Sequence, residues 1–481
     1  MYKSQPFNHF LQHTHSSGIT AKLANVVINE RNLTRINREK YVWAVDAIVL
    51  NLFTAYFESS KKVVGISRDK NYWDGKDKFY KNSKLTFTTV ITSLDILEKH
   101  KYIKLVEEGK QGFGDKPGTT SRYKANRKLI KLYKDWDWNI YDVSDYKDAP
   151  SVRLRGKKPK RTLLNPFPKG KLIPFKSNSR IDLMHRVLDL LNRNFRTTDI
   201  NLYLSKQEEK VLNQRMAASA QEDEDYADRI RYQNKYLYRV FNEDFESGGR
   251  FYGGFWQQLP SEYRSRLIID GFYTAEMDYS SIHFAMLYNY EGYNKEDFKD
   301  PYTLKTEDDE LRKAIKTTMN IMLNTSSYED ALVVCRKHEM KLPKKFYKTW
   351  KALIDDILEH HHPIKDYFFT QIGTQLQKLD SDIAEYVLVT MTNEHGVCVL
   401  PIHDSFVCPI KDLKALIEVM HIAAKKVANL SLYLEPKFSQ KNFKGYGEKI
   451  FKLDESNYYQ RRTKFLESVD LYYLNEPPSF V

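Results

Sequence analysis

The chain has 481 residues, of which 41% are hydrophobic and 29% charged, with a formal charge of +13 and a pI of about 9.1. That length and balance suit two or three domains with full cores and exclude a mostly disordered chain. The positive excess favours a polyanionic partner, since each neutralised phosphate releases counterions, although it also serves solubility. Three cysteines, Cys335, Cys398 and Cys408, have no metal-ligand spacing and make an odd count, as expected in a reducing compartment without structural disulfides. The N-terminus has no apolar core segment of a signal peptide. The longest apolar run, 42–57, carries Asp46 and Asn51 and is too short to cross a bilayer. The expectation is a cytoplasmic protein with no membrane partner.

Residues 1–38 are polar and give little pattern. Over 39–58, Val42, Val45, Ile48, Val49, Leu52, Phe53 and Tyr56 recur at helical spacing. A second helix is predicted over 87–100, with Val90, Leu94, Ile96 and Leu97 as its inner stripe. Residues 102–106 alternate like a strand, 110–120 are Gly-rich, and 121–125 return as a second strand. Helices, strand, glycine-rich tip and strand follow the plan of a winged helix, and 85–103 resembles the recognition-helix-into-wing segment of that family. Such a fold sets a helix in the major groove and a basic wing on phosphates, or serves protein contacts instead. This N-terminal region is assigned to 1–147. The stretch 148–180 is Pro-rich and very basic, with Arg153, Arg155, Lys157, Lys158, Lys160 and Arg161 among its cations, and reads as a linker. Residues 181–249 read as helical, with Met184, Val187, Leu188, Leu190 and Leu191 in one stripe.

The chemistry lies further on. Asp278 ends an apolar strand in Ala275-Glu276-Met277-Asp278-Tyr279-Ser280-Ser281-Ile282, and the Tyr279 backbone carbonyl sits beside it. Asp404 lies in His403-Asp404-Ser405 between the apolar arms 397–402 and 406–410, which read as a hairpin with Asp404 at its turn. Between the two aspartates, Arg312, Lys316, Asn320 and Asn324 recur every four residues and so share one helix face. Two carboxylates that hold a pair of divalent ions, with a cationic helix opposite for a triphosphate, are what nucleotidyl transfer requires. The run His360-His361-His362 is a weaker metal candidate, because adjacent helical histidines point different ways and Pro363 marks a helix end.

Four segments in order, from Arg250 to Tyr446, resemble the palm and fingers of family A DNA polymerases and the related single-subunit RNA polymerases: the Asp278 motif, the helix carrying Arg312 and Lys316, 376–383, and the Asp404 hairpin. The resemblance implies an α+β, helix-rich right-hand fold. It has a palm over 250–300 and 375–450 with an antiparallel sheet, helical fingers over 301–374, a short thumb over 181–249 and a tail over 451–481. It implies that Asp278, Tyr279 and Asp404 hold two Mg²⁺ ions, with Mn²⁺ as a substitute. Arg312, Lys316, Asn320, Asn324 and His283 would bind the incoming nucleotide, Lys316 serving the leaving group. Arg250, Arg264, Gln377 and His403 would contact DNA. The implied partners are primer–template DNA, nucleoside triphosphates and a single-stranded-DNA-binding or processivity protein.

Three departures stand out. His283 occupies the position where family DNA polymerases carry a glutamate against the ribose 2′-hydroxyl. The nucleotide-binding helix ends in Asn324-Thr325 rather than Tyr-Gly, leaving Tyr328 as the nearest aromatic for a base stack. Ser405 stands where many relatives have a second acid. With the N-terminal third occupied, no proofreading exonuclease is expected. The first reading is a template-directed DNA polymerase for replication or repair of a mobile element or phage. The alternatives are a single-subunit RNA polymerase or primer-making enzyme, and a non-catalytic DNA-binding replication factor.

Overall fold

The structure is a computed structural model. It describes residues 4–438 apart from 10, 14–17, 33–34, 75–78, 111–117, 139–142, 146–148, 160–168, 223–228, 233, 294–299, 305 and 339. The expected tail over 451–481, part of the wing tip, part of the basic stretch and the end of the last palm segment lie outside the described residues. The chain separates into two units, one of residues 1–151 with 173–176 and 231–235, the other holding the remainder.

The first unit contains β1 (Ser4–Pro6), β2 (Leu11–His13), α1 (Gly18–Glu30), α2 (Arg35–Glu58), β3 (Val63–Ile66), α3 (Lys70–Asp74), α4 (Phe87–Lys99), β4 (Ile103–Glu107), β5 (Ser121–Ala125), α5 (Arg127–Asp135) and β6 (Val143–Asp145). Helix α4 starts where Thr86 and Thr89 form a reciprocal capping box. Its Val90, Leu94 and Leu97 join Val45, Ile48 and Leu52 of α2 in one core. Strands β4 and β5 form the expected antiparallel hairpin, and β3 extends it in the order β1-β3-β5-β4. The polar first 38 residues give no sequence signal for β1 and β2. Yet α1, which also falls there, buries Ile19, Leu23 and Val27.

The second unit contains β7 (Val152–Arg155), α6 (Ser179–Thr197), β8 (Ile200–Leu202), α7 (Lys206–Glu222), β9 (Tyr238–Asn242), β10 (Gly248–Tyr252), α8 (Ser261–Arg264), β11 (Leu267–Ile269), β12 (Phe272–Tyr279), α9 (Ile282–Tyr290), α10 (Asp309–Leu323), α11 (Tyr328–Lys337), α12 (Trp350–His360), α13 (Gly373–Asn393), β13 (Leu400–Ile402), β14 (Ser405–Pro409), α14 (Leu413–Ala428) and β15 (Leu434–Phe438). Two segments differ from their sequence reading. The basic stretch is not wholly a linker, because β7 pairs in parallel with β9 and Arg153 stacks over the Tyr238 ring at 3.4 Å. Alternate burial of Val152 and Leu154 outweighs the surrounding charge. The 181–249 region is not all helix, since β8 enters the sheet beside β11.

Strand β12 is the axis of that sheet. It pairs antiparallel with β14 on one side, and with β11 and β15 on the other. The β11–β12 connection is Asp270-Gly271, both at positive φ (49° and 81°), a two-residue turn whose twist matches the strands it joins. Helix α13 carries a buried charge cluster to the β9–β10 hairpin. There Arg239 bonds Glu385 and Asp382 and donates to the Gly249 carbonyl at 2.6 Å.

Candidate active site

Two-fold alternation along β12 sends Ala275, Met277 and Tyr279 to one face and Glu276 and Asp278 to the other. In register, Asp278 lies opposite Ser405 of β14 and Glu435 of β15. The β13–β14 turn consists of two residues, His403 in the left-handed region (φ 60°) and Asp404. The Tyr279 amide contacts the Asp404 carbonyl at 3.4 Å, so the tip of the hairpin stands against the end of β12. Pro401, in the hairpin arm, is braced from behind, its carbonyl accepting from Trp256 and Gln257, both at 3.1 Å.

Asp278 and Asp404 line one cavity of about 370 Å³, together with Tyr279, His283, Arg250, Tyr302, Arg312, Lys316, Asn320, Asn324, Gln377, Glu435 and Lys437. Segments far apart in the chain therefore meet there. Helix α10 supplies its exposed face. Asp308 caps it by accepting from the Leu311 amide, while Leu311, Ile315 and Met319 bury the opposite face. The Arg312 guanidinium is held by Asp300 at 2.6 and 3.2 Å, and Arg312 and Lys316 lie 5.2 and 5.4 Å from the Tyr302 ring centroid. Cations over a ring face gain from its quadrupole, so Tyr302 helps aim both into the cavity. Asn324 ends the helix and donates to the Asn320 carbonyl at 2.8 Å.

Burial, and next the charge of Asp404, push the Asp278 carboxyl up to about 6, against the pull of Lys437. Its Oδ2 is 2.6 Å from the Lys437 ammonium, and its Oδ1 is buried without a hydrogen-bond partner. An orphaned carboxylate oxygen beside a second carboxylate fits a hard divalent cation such as Mg²⁺, which takes oxygen ligands and retains water. The Tyr279 side chain is buried, with its hydroxyl donating to the Met420 carbonyl at 2.6 Å, so Tyr279 meets the cavity through its backbone. Among the described residues no group of three or more His, Cys, Asp or Glu side chains forms a metal cage. Substrate or water oxygens would complete the coordination.

Behind the cavity, the buried Asp380 of α13 joins two other expected site residues. It accepts from Arg250 at 2.5 and 3.2 Å and contacts His283 Nε2 at 2.7 Å. Burial works to raise its pKa, but the bond from His283 and the charge of Arg250 hold it below the ordinary carboxylate value.

Other expected residues lie elsewhere. Arg264 does not line the cavity, because its guanidinium is spent on the buried Glu276 at 3.1 and 3.2 Å. Ser405 donates to the same carboxylate at 2.7 Å. His403 stands outside the lining, with its ring 6.1 Å from that of Tyr252. Tyr328 is also outside, its hydroxyl on Asp355 at 2.6 Å and its ring against Phe369. Glu276, Tyr302, Asp380, Glu435 and Lys437 are not among the site residues expected from the sequence. The first was readable from its two-residue offset to Asp278. Asp380 sits in the segment singled out for Gln377. Glu435 and Lys437 reach the site only through strand pairing, which leaves no local mark.

The histidine run is occupied structurally. The Pro301 carbonyl can only accept, so His361 Nε2 donates to it at 2.9 Å, and Nδ1 accepts from the Tyr288 hydroxyl at 2.8 Å. Burial, with the neighbouring His360, lowers His361 to about 4. The unfolded chain therefore takes up a proton near 6.5 that the folded chain refuses until about 4. The stability this represents is full above 6.5 and falls as the pH drops through that window, by about 3 kcal/mol at most. Urea titrations at pH 7.5 and 4.5 should show a smaller loss for His361→Gln than for the wild type. Equal losses would remove His361 as the cause.

No protein-family model and no curated protein matches the sequence. Among solved structures, the chain is similar to the POL domain of Pol1 from M. smegmatis in complex with DNA primer-template and dNTP, at 10% identity and a TM-score of 0.30. The match covers 42% of this chain and 47% of that one, so this chain spans about half the length of that structure.

Proposed function

We propose that the second unit is a template-directed DNA polymerase of the family A type, extending a primer 3′-hydroxyl. The observation that carries this reading is one cavity lined by Asp278, Asp404, Arg312, Lys316 and Gln377. These residues come from a strand end, a hairpin turn and two helices. Asp278 and Asp404 would hold two Mg²⁺ ions, which would supply activation of the 3′-hydroxyl and neutralisation of phosphate charge. Lys316 Nζ stabilises the departing pyrophosphate and can give it a proton. Arg312 grips the outer phosphates and shares its guanidinium with Asp300. Arg250, fixed by Asp380, presents positive charge to the nucleic acid. Gln377 faces the new base pair.

In this reading the first unit is a winged helix that binds DNA, and the chain serves replication or repair of a mobile element or phage without proofreading. One observation favours a second reading, RNA or primer synthesis. A histidine tied to Asp380, and not a glutamate, lies at position 283 of the cavity wall. The full chain, given primed DNA, Mg²⁺ and labelled dNTPs or NTPs, distinguishes the two. Primer extension with dNTPs alone is expected. Products from NTPs, especially without primer, would establish the second reading. Incorporation of neither would leave only a nucleic-acid binder.

A further inference from the structure

Strand β15 brings to the cavity a cation for which the two-aspartate reading has no use. Glu435 lies opposite Asp278, and Lys437 follows two residues on, as the extra residue between Pro436 and Phe438 where the register shifts. The Lys437 ammonium is 2.6 Å from Asp278 Oδ2 and 3.8 Å from Glu435 Oε2. The other Glu435 oxygen, Oε1, accepts from the Ser280 hydroxyl at 2.7 Å, which fixes that carboxylate within reach of the lysine. The ammonium takes Oδ2 and leaves Oδ1 unpartnered, so a divalent cation that enters at Oδ1 meets a second positive charge across the same carboxylate. The two positive charges repel, so entry of the cation favours release of the ammonium. The lysine stem has four rotatable bonds, and Lys437 is partly exposed, so it has room to leave.

We propose that Lys437 is an exchangeable place-holder for the divalent cation at Asp278. While no metal is bound it balances the negative charge of Asp278 and Asp404. When a cation enters, the ammonium shifts to Glu435. Asp278 is thus kept paired between turnovers, and the affinity of the nucleotide-free protein for divalent cations is lowered. This rests on the reading of Asp278 and Asp404 as metal ligands, and the test separates the two.

Mn²⁺ is titrated into the full chain without DNA or nucleotide. Free Mn²⁺ is followed by electron paramagnetic resonance, and the melting temperature is recorded at each point. Lys437→Met keeps the stem and removes the charge. It should bind Mn²⁺ about fivefold more tightly than the wild type, the scale of one partly exposed ion pair. Its melting temperature should also rise further on Mn²⁺ addition. Lys437→Arg should stay near the wild type, as should Lys414→Met, which removes an exposed charge from α14. If Lys437→Met is poorly folded, Lys437→Gln takes its place in the comparison. Unchanged or weaker binding by the charge-free variants, with binding still lost in Asp278→Asn, would overturn the place-holder and leave the metal site standing. Binding indifferent to Asp278→Asn would remove both.

Discussion

Asp404→Ala is expected to lower nucleotide incorporation by about a thousandfold or more, with the fold intact. A carboxylate that holds a divalent ion contributes several kcal/mol of charge stabilisation in the transition state, and roughly 4 kcal/mol is a thousandfold. The folded state should tolerate the change for local reasons. Asp404 occupies a two-residue turn, and the β13–β14 pairing of Leu400, Pro401 and Ile402 with Val407, Phe406 and Ser405 does not use its side chain. Its charge also works against Asp278 in the metal-free protein, so removing it relieves a repulsion. Single-turnover primer extension beside a thermal melt separates the two effects. Incorporation within tenfold of the wild type would eliminate Asp404 from the chemistry.

Asp380→Ala should act in the opposite sense, mainly on stability. Its carboxylate is 1% exposed and neutralises Arg250, itself 18% exposed, while also contacting His283. Removing one member of a buried pair strands the other charge and costs about 3–5 kcal/mol. For Asp380→Asn, which keeps the volume and one acceptor, the loss should be smaller. Because the folded pKa of Asp380 is depressed, its contribution is present above the ordinary carboxylate value and is lost as the pH falls through the folded value. The gap between wild type and Asp380→Asn in urea midpoints should therefore narrow in acid. A gap that is small at pH 7.5, or widens in acid, would contradict the role given to Asp380.

What the sequence made legible follows from local periodicity. The α4 stripe, the β4–β5 hairpin, the turn at Asp404 and the exposed α10 face each repeat at the period of their own element, and each forms where its pattern lies. The order of Asp278, Arg312, Lys316, Gln377 and Asp404 was readable too, and all five line one cavity. What escaped depends on partners far away in sequence. Nothing near Arg264 announces that its charge is spent on a glutamate within β12, and nothing near Lys437 announces Asp278. Charge density also misled over 152–155, where two buried aliphatic side chains suffice to make a strand.

Pro436 carries a consequence for solubility. Among the described residues β15 pairs only with β12, and Pro436 lies opposite Met277 beside a register shift. Proline has no amide hydrogen to offer a further strand. A margin that lacks a donor is a poorer template for strand addition by a second molecule. The same short segment that reaches the aspartate thus makes its own margin of the sheet less open to pairing with a second molecule.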